Sequence, residues 1–126
     1  VYPGGADLSV SGIASVTAVW DTLKLTATDV TGASLFIQAT NTVGPIAFAD
    51  GQLCAAVGII RLGVVFPTGG VASYPGGLAA VPIHTAGAPL AAGATRHYQC
   101  WYRDAAPYCT SASSNVTSAV SLTWFP

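Results

Sequence analysis

The chain has 126 residues, of which 52% are hydrophobic and only 7% charged, against roughly a quarter charged in an average soluble domain. Four Lys/Arg against five Asp, with no Glu and a formal net charge of −1, cannot build a phosphate-tracking basic stripe, which excludes nucleic acid as a partner. No apolar run reaches the length of a membrane helix: Leu53 to Phe66 is broken by Arg61 and two glycines and reads as strands of a core, so the chain is not expected to span a membrane.

Taken in chain order, the elements are short, and Thr, Val and aromatic residues in them favour strands. After Val1 and Tyr2 comes a turn, Pro3-Gly4-Gly5, and then Leu8 and Val10 alternate with Asp7, Ser9 and Ser11. Further alternating runs lie at Thr22–Thr28, Ser34–Thr40 and Ile59–Val65. Between the last two, Ala49-Asp50-Gly51-Gln52 signals a tight hairpin, because Asp-Gly tolerates positive φ. Thr68-Gly69-Gly70 leads into Val71-Ala72, a strand rather than a phosphate-cradling helix. Tyr74-Pro75-Gly76-Gly77 suits a type II turn with glycine at positive φ. It repeats the chemistry of residues 2–5 without an alignable duplication around it. Val81–Thr85, Thr95–Arg103 and Ser118–Phe125 complete the series. The pattern predicts one all-β domain over residues 1–126, an antiparallel β-sandwich of about 7–9 strands with roughly two-thirds of its unfolded surface buried.

Arg96 to Thr110 is the richest stretch, with two cysteines, two arginines and four aromatics in fifteen residues. Tyr98, Cys100 and Tyr102 fall on one face of its strand, and Gln99, Trp101 and Arg103 on the other. Trp20, Trp101, Tyr102, Tyr108 and Trp124 offer flat rings for a sugar-stacking platform, with Trp101 and Tyr102 as the contact candidates; core packing is the competing use of such rings. His84, His97 and the cysteines lack paired metal-ligand spacing. There is no Gly-x-Ser-x-Gly elbow, and two of the five dispersed aspartates, Asp50 and Asp104, already have turn roles. Neither an enzyme, a metal nor a cofactor is expected. Asn115-Val116-Thr117 is a glycosylation sequon. Three cysteines allow three single pairings, and a Cys54–Cys109 loop gains somewhat more chain entropy, about 4 kcal/mol, than Cys100–Cys109, which does not decide between them.

Gly51-Gln52-Leu53-Cys54, Ile60-Arg61-Leu62-Gly63, Tyr74-Pro75, Arg96 to Arg103, Ala105 to Thr110 and Asn115-Val116-Thr117, in that order, resemble a β-rich domain near the C-terminus of secreted, largely uncharacterised bacterial proteins of planctomycetes and myxobacteria. The resemblance covers about residues 46–126, and Tyr-Gln-x-Trp-Tyr-Arg is its most specific block. It implies cysteines paired at Cys54 and Cys109 and an apolar role for Cys100, and it lends a secreted location but no activity. The absence of methionine makes Val1 an expected processed end, again pointing to secretion.

Near-zero net charge promotes association. The leading expectation is an extracellular structural protein that self-associates as the subunit of a surface fibre or layer. Residues 1–11, with Val1, Tyr2, Leu8 and Val10, would act as an assembly strand in a neighbour's sheet. The alternative is a carbohydrate-binding or adhesive module of a larger secreted protein, with polysaccharide as its partner.

Overall fold

The computed structural model describes residues 6–48, 51–76, 80–103 and 114–126. It is an all-β sandwich of two antiparallel sheets. The first sheet holds β1 (Asp7–Ser11), β2 (Lys24–Thr28) and β7 (Val71–Tyr74), in the order β1-β2-β7. The second is built on β3 (Ser34–Ala39), β6 (Ile60–Val65), β8 (Thr95–Arg103), β9 (Ser114–Val116) and β10 (Val120–Thr123). Its order is β10-β8-β3-β6, with β9 pairing the far half of β8 beyond β10. A hairpin of β4 (Asn41–Phe48) and β5 (Gly51–Val57) forms a separate two-stranded sheet.

The alternation of β8 decides the layering. Tyr98, Cys100 and Tyr102 pair with Gln38, Phe36 and Ser34 of β3, and this face packs on Leu8, Leu25, Ala27, Ala72 and Tyr74 of the first sheet. The opposite face is covered only in part, at Gln99, while Arg103 at its end stays exposed. Gln99 is 1% exposed there; its Oε1 accepts from Ala55 N of β5 at 3.3 Å and its Nε2 donates to Thr117 O at 2.6 Å. Backbone is therefore met by a side-chain amide, which satisfies polar groups that burial would otherwise strand.

The Thr95–Arg103 strand forms with the expected bounds, and the other early runs differ from their strands by one or two residues at an end. The Gly69-Gly70 turn takes φ of +61° and +81° between Thr68 and Val71, which exchange hydrogen bonds of 2.9 and 3.2 Å. Two successive positive φ values are what a two-residue hairpin needs, and glycine supplies them without a Cβ clash.

Four expectations need correction. Val81–Thr85 is not a strand: Ile83–Ala86 makes a single helical turn, α1, because Pro82 at its start has no donor to give a ladder and its carbonyl accepts from Thr85 N and Ala86 N. Ser118–Phe125 shrinks to β10, since Trp124 N turns to Ala94 O and Phe125 N to Ala14 O. Gly76 does not take the positive φ of a type II turn. The hairpin closes at Phe48↔Gly51, one position before the expected pair, and residues 49–50 lie outside the described residues.

Candidate functional site

Two surfaces and one buried pair carry the side chains of interest. The first surface is a groove of about 180 Å³ on the outer face of the larger sheet, lined by Ala33, Leu35, Val64, Trp101, Tyr102 and Arg103. Register builds it. Val64 pairs with Leu35, Leu35 with Trp101 and Trp101 with Val116, so four apolar side chains run in a row across β6, β3, β8 and β9. Trp101 and Leu35 pack on a small core of Ile37 and Val116. Arg103 stands one outward position beyond Trp101 and is exposed. Arg61, also exposed, joins this face through its pairing with Ile37, because a bulge at Leu62 shifts the register between Phe36 and Ile37. Neither guanidinium makes an ion pair among the described residues.

The five aromatics expected to form a platform are not brought together. Trp101 is in the groove, whereas Tyr102, which also borders it, is 3% exposed with its side chain in the inner core and offers no open ring face. Trp124 is buried: its Nε1 donates to Tyr98 OH at 2.9 Å, that hydroxyl donates to Gln38 Oε1 at 2.9 Å, and Gln38 Nε2 donates to Gly87 O at 3.0 Å. Tyr108 lies outside the described residues.

The second surface is at the opposite end of the sandwich. The loop from Gly12 to Leu23 is closed by Thr22 N to Ile13 O at 3.0 Å and tied to the C-terminus by Val16 N to Phe125 O at 2.9 Å. On it Ile13 is 51%, Val19 76% and Trp20 62% exposed, and Phe125 is 60% exposed. Of the expected assembly residues, Leu8 serves the chain's own core at 5% exposure and pairs with Ala27, while Val10 is 41% exposed. A strand offered to a neighbour is thus already paired at home. Among the described residues its outer edge is met by Ser118, whose Oγ accepts from Leu8 N at 3.1 Å and whose N donates to Ala6 O at 3.2 Å. Val1 and Tyr2 lie outside the described residues.

Sequence reading passed over Asp21. Its carboxylate, 1% exposed, accepts from His84 N at 3.0 Å and Leu23 N at 3.3 Å, and lies 2.6 Å from His84 Nδ1. A carboxylate orienting an imidazole is half of a nucleophile-activating arrangement. Through these bonds the pair staples the loop to α1. No cluster of three or more His, Cys, Asp or Glu that could hold a metal occurs among the described residues, and no helix is long and apolar enough to cross a membrane.

Cys100 is a free, fully buried thiol, pushed up to about 12 by desolvation against a lowering hydrogen bond from Ser34. The Cys54–Cys109 pairing lies outside the described residues. At the sequon, Asn115 Oδ1 accepts from Val116 N at 2.8 Å. Thr117 is 3% exposed, its hydroxyl donating to Ser118 O and accepting from Cys100 N. The sequon's threonine is committed to the fold. Comparison with protein-family models, with curated proteins and with solved structures finds no match to this chain.

Proposed function

We propose that the chain is an extracellular structural protein that associates with copies of itself, as the subunit of a surface fibre or layer. The observation carrying this reading is the end of the sandwich where Val19, Trp20 and Phe125 stand 60% exposed or more. Large rings left in water on a protein with 7% charge gain free energy by being covered, and little charge repulsion opposes the contact. Heterologous contact through such an end generates open filaments when the rotation does not close. Secretion accords with the sequence resemblance and with the scarcity of charge. Sedimentation and negative-stain imaging test the reading: the native chain should form particles larger than a monomer, and Trp20→Ser with Phe125→Ser should give a folded monomer. A native chain that stays monomeric at high concentration overturns it.

A second reading, a carbohydrate-binding or adhesive module of a larger secreted protein, is favoured by the Trp101 groove. An apolar row with one indole suits the flat face of a pyranose, and polysaccharide pull-down by the native chain but not by Trp101→Ala is its test.

A further inference from the structure

We propose that the groove on the outer face of the larger sheet binds an acidic polysaccharide, a chain bearing uronate carboxylates, with Trp101 under a sugar ring and Arg103 on the carboxylate. This rests on the second reading, that the groove takes carbohydrate, and adds the class of sugar.

The groove fixes the ligand's size first. At about 180 Å³ it is smaller than the pockets of about 300–1,000 Å³ that enclose whole small molecules, so it fits one or two units of a chain that continues past it. Its floor comes next. Val64, Leu35 and Trp101 lie side by side on neighbouring strands, a largely apolar strip that suits a ring face better than a hydroxyl-rich edge. Charge then selects among sugars. The chain has four Lys/Arg in all, yet Arg103 lines this groove and Arg61 stands on the same sheet face. No carboxylate lines the groove among the described residues. A guanidinium meets a carboxylate through two parallel N–H donors, which a neutral hexose cannot reproduce. Both arginines are exposed, so the attraction is screened by salt.

The test is affinity electrophoresis and calorimetry of the whole chain with polygalacturonate and with a neutral glucan, at low and high salt. The native chain should bind polygalacturonate more tightly than glucan, and salt should weaken it. Arg103→Gln should lower affinity by at least about threefold at low salt, and Arg61→Gln by less. Trp101→Ala should abolish binding; because that ring also packs on Ile37 and Val116, the Arg103 variant, at an exposed position, carries the decision if the tryptophan variant fails to fold. Equal binding of both polymers, unaffected by Arg103→Gln, overturns the acidic selection and leaves the carbohydrate reading standing. Binding to neither overturns both. Polygalacturonate binding indifferent to Arg103→Gln and to a folded Trp101→Ala places the ligand elsewhere and overturns the groove.

Discussion

Cys100 sits opposite Phe36 in the core with no exposure, and burial pushes its thiol up to about 12 from the ordinary 9.0. As pH rises past 9 the unfolded chain loses this proton while the folded one keeps it, so the thiol's contribution is whole below pH 9 and is lost on the way to 12. Buried Tyr74 and Tyr98, both raised by desolvation, extend the loss in the same direction above 10. Urea unfolding between pH 8 and 10.5 should therefore show stability falling from about pH 9, and Cys100→Ala should flatten the first part of that fall while costing about 1 kcal/mol at neutral pH. An unchanged slope in the variant would remove the thiol from the account. The Gln38 amide gives a second test. Gly87 has no Cβ, and one added there would run into that amide, which already joins Tyr98 to the Gly87 carbonyl. Gly87→Ala should cost about 1–3 kcal/mol by displacing it, read as a lowered Tm.

At the scale of elements, β1 is where assembly and folding must be separated. Leu8 is in the core and Val10 half out of it, although both lie on the apolar side of the same strand. Leu8→Asp should therefore destabilise the chain itself by about 2–4 kcal/mol, since it places a charge in the core, whereas Val10→Asp should change stability by less than about 0.5 kcal/mol. If the outer edge of β1 beyond Ser118 pairs with a neighbour, Val10→Asp should still lower the sedimenting mass; an unchanged mass leaves that edge out of the assembly. These strands were legible in sequence where alternation was clean, as in Thr95–Arg103. Asn41–Phe48 was not, because Gly44-Pro45 interrupts it; the strand survives as part of a two-stranded hairpin whose register shifts between Thr42 and Ile46, around those residues. Val81–Thr85 alternates, but Pro82 overrides it. The groove was half legible: parity put Trp101 and Arg103 on one face, while Leu35, Val64 and Arg61 join them only through strand order, which spacing along the chain does not encode.

For the molecule as a whole, the two surfaces differ in the forces available to them, and solution conditions should separate them. The end bearing Ile13, Val19, Trp20 and Phe125 is apolar, and contact there would be driven by removing rings from water. Such association strengthens with sulfate, which is excluded from protein surface, and weakens on cooling. The groove, with Arg103 beside Trp101, would hold an anionic chain that rising salt releases. Adding sodium sulfate should therefore raise the sedimenting mass of the native chain while lowering its retention on polygalacturonate, and cooling from 25 to 5 °C should reduce the mass. Trp20→Ser with Phe125→Ser should remove the first response and leave the second intact; Arg103→Gln should weaken the second and leave the first intact. If sulfate lowers both mass and retention, the subunits meet through charge, and the apolar end is not the assembling surface. With so few ions on the chain, that outcome would have to run through Arg61, Arg96, Arg103 or Lys24 against aspartates other than the buried Asp21, and single neutral replacements of those four cations would find the one responsible.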